Sequence, residues 1–143
     1  MKIRCKLNKL SQIKPLELKE WLKEFIHLED DEELSLKLGE EYTVYGIVFY
    51  NNYPFYYVFD DMNDNYPRHF PAVFFEIIDY KLSKHWILSY GYKNHESTSA
   101  FLIKDWAEDS SFYEKLIEGE EEQIKKMDYY KKLIDKECMI KGF

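Results

Sequence analysis

The sequence predicts an α+β fold in one domain, residues 1–143: an antiparallel, aromatic-rich sheet of about four to six strands, packed by helices from the N- and C-terminal segments. Three observations carry that expectation. The middle of the chain is dense in β-branched and aromatic residues around an Asn-Asn turn. The flanking segments carry apolar residues at helical spacing. The length of 143 residues suits a single domain, since domains usually hold roughly 100–150, and no Gly/Ser/Pro-rich linker or internal repeat divides it.

The elements follow in order. Lys2-Ile3-Arg4-Cys5-Lys6 alternates polar and apolar, as a short strand does. Pro15 stands where a first helical turn tolerates it. Leu18, Trp21, Leu22, Phe25 and Ile26 then form the stripe of an amphipathic helix. The run Glu29-Asp30-Asp31-Glu32-Glu33 has no apolar period and reads as a solvated loop. Glu41 to Tyr50 reads as one strand, Asn51-Asn52 as a type I′ turn, and Tyr53 to Asp60 as the return strand. Pro54 lacks an N–H, so its end of that strand belongs at an edge or outside the ladder. Asp61 to His69 reads as a polar loop. Strands are expected around Val73–Ile78 and His85–Tyr90, as a looser hairpin, and a short one at Phe101-Leu102-Ile103.

Asn94–Ser99 reads as a loop and Lys104–Ala107 as one helical turn. Ser110 or Ser111 is placed to cap a helix through Leu116 and Ile117, with Glu114 in capping-box spacing and Gly119 ending it. A last helix, about Glu120 to Glu137, carries the stripe Ile124, Met127, Tyr130, Leu133 and Ile134. Its leading acids, Glu120, Glu121 and Glu122, suit the positive end of the helix dipole.

Composition narrows function. Twenty-seven acidic against 20 basic side chains give a formal charge of −7, which disfavours nucleic acid as the main partner because phosphate binding rests on Lys and Arg. Between residues 39 and 92 the bases are Arg68, Lys81 and Lys84, against seven acids. The aromatic platform of an RNA-binding sheet therefore lacks its cations. MKIRCKLNKL is basic, but no apolar run of 7–15 residues follows it and no stretch approaches the ~20 needed to span a bilayer, so a cytoplasmic protein is expected. Cys5 and Cys138 lie far apart and read as reduced thiols.

The chemical motifs sought are missing from the sequence. Neither phosphate-cradling glycine pattern occurs, nor a G-x-S-x-G elbow. His27, His69, His85 and His95 have no metal-ligand spacing. The loop from Asp61 sets oxygens at alternate positions like a calcium loop, but Tyr66 and Ala72 stand where Gly and Glu are needed. No metal or cofactor is expected, and no catalytic residue.

What remains is acid beside aromatics. Seventeen aromatics lie between Tyr42 and Tyr92, more than one inner sheet face holds, and Tyr is a favoured interface anchor. Two acidic clusters, at 29–33 and 60–64, have no helix-dipole explanation. The expected contact residues are Asp60, Asp61, Asp64 and Tyr66, with Tyr53 and Tyr56 as anchors, and Glu29, Asp30 and Asp31 from the other cluster.

The block Leu38-Gly39-Glu40-Glu41-Tyr42-Thr43-Val44-Tyr45-Gly46-Ile47, the hairpin through Tyr56-Tyr57-Val58-Phe59-Asp60-Asp61, the Phe74–Asp79 strand and Trp106…Phe112-Tyr113-Glu114-Lys115-Leu116 resemble small acidic bacterial immunity proteins. Those proteins neutralise polymorphic or contact-dependent-inhibition toxins. The resemblance spans roughly residues 38–118 and is a general pattern; no family site residue carries over. It implies a non-enzymatic protein that binds a cognate toxin domain, often a basic nuclease. The alternatives are an intracellular adaptor for a non-toxin protein, or a small hydrolase or ligand-binding protein built on His85, His95 and nearby acids.

Overall fold

The computed structural model describes residues 1–62, 65–90 and 98–139. Within them the chain runs β1 Lys2–Cys5, α1 Leu16–Ile26, β2 Glu41–Thr43, β3 Gly46–Tyr50, β4 Tyr53–Val58, β5 Arg68–Pro71, β6 Phe75–Asp79, β7 Trp86–Tyr90, β8 Ser99–Ile103, α2 Lys104–Glu108, α3 Phe112–Ile117 and α4 Glu121–Met139. Short 3₁₀ turns sit at Leu10–Gln12 and Ala72–Phe74. The α+β class holds. In place of one sheet there are two, both antiparallel: β2-β1-β6 and β5-β4-β3-β8-β7.

The division falls inside the segment expected to be a single strand. Glu41–Thr43 pairs with β1, whereas Gly46–Tyr50 pairs with β4 and β8. Between them, the Tyr45 N–H donates to the Tyr57 carbonyl at 2.9 Å, although Tyr57 already stands opposite Gly46. Two residues facing one make a β-bulge, which bends the strand and lets one apolar run serve both sheets. Gly46 is required by packing: a Cβ there would lie 2.9 Å from Leu102 Cδ2 and 3.3 Å from the Phe101 carbonyl oxygen. β-propensity marks such a run as strand but does not say which sheet it joins.

The central hairpin forms as expected. Asn51 and Asn52 have φ of 51° and 63°, and Tyr50 faces Tyr53 across a two-residue turn. That closing pair is hydrogen-bonded, so the neighbouring Phe49–Pro54 pair is not, and the ring nitrogen of Pro54 turns toward the β5 side. There the β4–β5 ladder has already ended at Phe55–Pro71, so no donor is missed.

β5 occupies the end of the expected polar loop. Arg68 and His69 look like loop residues, yet they pair with Val58 and Tyr57, and Phe70, opposite Tyr56, is buried. β6 and β7 do not form a hairpin. β6 lies against β1 and β7 against β8, so residues 80–85 carry the chain from one sheet to the other. On the small sheet Arg4 binds Glu41 at 3.2 Å and Glu76 at 3.1 Å, one carboxylate from each neighbouring strand.

Both long helices lie where periodicity placed them. α1 ends on His27, whose φ of 52° supplies the left-handed cap that glycine usually provides. Trp21 and Phe25 of α1 pack on Phe55 at ring distances of 6.1 and 5.3 Å. In α4 the buried face is Gln123, Met127, Ile134 and Cys138, while Ile124 is exposed, so the stripe starts one position earlier than expected. Asp135 accepts a hydrogen bond from the buried Tyr45 hydroxyl at 2.5 Å, and Glu137 accepts from the Ser83 hydroxyl and the Lys84 amide. Gly119, at φ 84°, ends α3. Ser111 stands at its N-cap without a capping bond; its hydroxyl and amide bind the Asp109 carboxylate at 2.7 and 2.9 Å, so the expected capping box does not form.

Two sheets with helices against them supply several inner faces, and these absorb the aromatics. Trp106 is fully buried, stacked on Tyr113 at 5.1 Å and met edge-on by Tyr57 at 4.6 Å. Of the described aromatics from Tyr42 to Tyr90, only Tyr80 and Tyr90 are exposed. Among the described residues no helix is long and apolar enough to cross a membrane.

Candidate interaction surface

The segment that follows the first acidic run meets the start of the second. The segment after Glu33 folds back along the end of β4: the Leu34 amide donates to the Asn8 carbonyl at 2.8 Å, and the Asp61 amide to the Ser35 carbonyl at 3.1 Å. The Ser35 hydroxyl also donates to the Asp60 carboxylate. Arg68, reaching in from β5, places Nη2 3.1 Å from the same Asp60 oxygen and 3.3 Å from the Ser35 hydroxyl. The Asp60 carboxylate is fully buried, whereas the Arg68 side chain is about two-fifths exposed and lies over the Phe70 ring. Asp60 is therefore the anchor of an internal clamp and not an exposed contact residue. Its clamp holds residues 34–37 against the end of β4.

A second link runs beside it. The Tyr42 hydroxyl accepts from the Lys37 amide at 3.0 Å and donates to Asp61 Oδ1 at 3.2 Å. Burial, with the charges of Asp61 and Glu40 nearby, pushes the Tyr42 phenol well above its ordinary pKa, so it stays a neutral donor. Leu38 and Met62 each sit one residue beyond an end of this link, and they are 55% and 77% exposed. Asp61 and Glu40 are exposed next to them.

The other expected contact residues divide sharply. Glu29 and Asp31 are exposed, as are Glu32 and Glu33. Asp30 is half-buried and held by Lys23 at 3.1 Å and Lys19 at 3.6 Å, and its carbonyl accepts from the Ser11 amide. The hydrogen bond from Lys23 lowers the Asp30 pKa, aided by the charge of Lys19. Tyr56 is buried against Phe75 at 5.9 Å and is no surface anchor. Tyr53 is half-buried, packed on Trp21 and Phe55, and Tyr66 is half-buried edge-on to Tyr113. Both were expected as anchors because tyrosine suits interfaces; the inner faces of this fold claim most of their area instead. Asp64 lies outside the described residues.

Sequence reasoning did not reach Ser35, Leu38, Tyr42 or Met62. Arg68 carried a signal: the chain has only two arginines, Arg4 and Arg68, and each binds carboxylates across strands. A guanidinium fork matches that task better than lysine does.

The described histidines form no common site. His69 is packed among Tyr50, Phe55 and Tyr57, and burial lowers its pKa. His85 stands beside Tyr130, and His95 lies outside the described residues. Among the described residues, no group of three or more His, Cys, Asp or Glu is placed to hold a metal. Cys5 and Cys138 are free and buried, and desolvation pushes the Cys5 thiol up to about 11. No protein-family model, no characterised protein and no solved structure matches this chain.

Proposed function

We propose that this chain is an immunity-type binding protein that acts in the cytoplasm and neutralises a cognate bacterial toxin domain, of the polymorphic or contact-dependent growth inhibition kind, by direct protein–protein binding. The observation that carries the reading is the clamp that holds the segment following the first acidic run against Asp60 and Asp61, with Leu38 and Met62 exposed beside it. Glu29, Asp31, Glu32, Glu33, Glu40 and Asp61 supply unburied negative charge, and the two apolar side chains supply area that a partner can desolvate. Such a surface suits a basic partner: charge raises the association rate, and the apolar centre lengthens residence. Asp60, Arg68 and Tyr42 are positioning residues that hold the two segments together before binding, which lowers the ordering cost.

Co-purification from the native host names the partner, and a toxin gene immediately upstream is the expected genetic setting. With the toxin domain in hand, the triple variant Glu32→Lys, Glu33→Lys, Asp61→Lys is expected to weaken binding and flatten its salt dependence. Met62→Ala is expected to raise the dissociation rate. Unchanged affinity together with unchanged salt dependence in the triple variant would remove this surface from the reading.

A further inference from the structure

β5 is the outermost strand of the five-stranded sheet, and among the described residues it pairs with β4 alone. The two-residue hairpin closes on the hydrogen-bonded pair Tyr50–Tyr53, and bonding alternates from there. Phe55 and Tyr57 thus address β3, while Tyr56 and Val58 address Phe70 and Arg68 of β5. His69–Tyr57 is the non-hydrogen-bonded pair between those two, the kind that brings side chains closest. A four-residue edge strand held by so short a ladder belongs to the low-stability end of a fold, which opens before the core does.

His69 is half-buried, and its ring stands among three others. Phe55 and Tyr57 of β4 each lie 5.4 Å away, and Tyr50 of β3 lies 5.7 Å away. Tyr113 of α3 packs on Tyr57 at 5.7 Å, and its hydroxyl donates to the Pro67 carbonyl just before β5. Trp21 and Phe25 of α1 close over Phe55. These neighbours are phenols and neutral rings. The charge that acts on His69 is that of Arg68, next to it in the chain, and no carboxylate acts on it. Burial, aided by Arg68, lowers the pKa of the imidazole, against a hydrogen bond to its own backbone that raises it. A proton on His69 therefore places a second positive charge on β5 in surroundings that offer it no counter-charge.

We propose that His69 is an acid-sensitive latch on β5: protonation of its imidazole loosens the strand from β4 and frees Arg68 from Asp60, releasing residues 34–37 from the clamp. In the opened strand the solvated imidazole takes its proton at the ordinary value of about 6.5, whereas the closed strand takes it only at lower pH. The closed form is fully favoured above about 6.5 and progressively less as the pH falls below it, until the pH passes the lowered native value. The latch is a property of the strand and needs no partner, so it stands apart from the toxin-binding reading.

Amide hydrogen exchange followed by NMR from pH 7 to pH 5, corrected for the intrinsic exchange rate, tests it. In the parent, protection of the Arg68 and Phe70 amides is expected to fall by more than about threefold and by at most about 25-fold, the ceiling for a group neutral when closed and ordinary when open. The Asp61 amide, which donates to the Ser35 carbonyl across the clamp, is expected to lose protection over the same range, while amides in the middle of α4 keep theirs. His69→Phe keeps a ring among the three others and removes the titration, so its β5 protection is expected to stay level. The proposal is overturned by β5 protection that does not change with pH in the parent, that falls equally in His69→Phe, that falls no more than in α4, or that falls with no change at Asp61. Should His69→Phe fail to fold, the NMR titration of His69 in the parent decides. A midpoint below the ordinary value, with β5 protection falling from about pH 6.5 downward, upholds the latch; a midpoint at or above that value overturns it.

Discussion

The runs at 29–33 and 60–61 have the same chemistry and opposite uses. Most of the first stands in solvent; Asp30 is drawn into ion pairs by Lys19 and Lys23, and the exposed Glu33 lies 3.9 Å from the Lys9 ammonium. In the second, Asp60 turns fully inward onto Arg68 and Ser35, and Asp61 turns outward beside Met62. Carboxylates adjacent in sequence thus divide into one that builds the surface and one that is displayed on it. What separates them is whether a cation arrives from elsewhere in the fold. Arg68 reaches Asp60 because β5 pairs with β4; no comparable base reaches Asp61 or Asp31 among the described residues.

The largest test of that contrast is Arg68→Met. It leaves the buried Asp60 carboxylate with the Ser35 hydroxyl and no countercharge, and, with the guanidinium partly screened by solvent, is expected to cost about 1–3 kcal/mol in urea unfolding. Adding Asp60→Asn to that variant should restore much of the loss. A cost under about 0.5 kcal/mol, the scale of ordinary surface changes, would show that Asp60 is no more committed than its neighbour. Tyr42→Phe comes next. It removes the hydroxyl that joins the Lys37 amide to Asp61, and a loss of about 1 kcal/mol is expected, with faster amide exchange at Lys37.

Asp30 sharpens the comparison within the first run. Its pKa is lowered in the fold, so the unfolded chain binds a proton at higher pH than the native one does. Its contribution to stability is complete above the ordinary aspartate value of about 3.9 and is lost as pH falls through the lowered value. Lys23→Met should bring the Asp30 carboxyl titration, followed by NMR, back toward the ordinary range. An unmoved titration would mean that Lys23 is not the cause. The smallest stability effect belongs to Glu29→Lys with Asp31→Lys, expected within about 0.5 kcal/mol of the parent because both side chains are exposed. A larger loss would give these acids a structural role and weaken their assignment to a binding surface.

Much of the fold was legible where the signal is local. Asn51-Asn52 identifies the hairpin because both residues must adopt positive φ, and Gly119 identifies the end of α3 for the same reason. The stripe of α1 and most of that of α4 follow from a period that only a helix shares. Legibility failed wherever a distant segment decided. Arg68 and His69 look like loop until β4 pairs with them, and Glu41–Tyr50 looks like one strand until Tyr45 bulges against Tyr57. The candidate surface was half legible. Glu29, Asp31 and Asp61 are exposed as the charge pattern suggests and Glu40 carries no such signal, whereas the fold buries Asp60 and Tyr56 and ties Asp30 to two lysines.

By itself the sequence determined the α+β class, the central hairpin, the long helices and the excess of acid, because propensity, turn conformation and charge are properties of short stretches. Only the tertiary structure decided that the strands divide into two sheets, that the aromatics fill the inner faces, and which carboxylates remain free. Burial and pairing depend on residues tens of positions apart, and a residue's own chemistry does not say which of them will reach it.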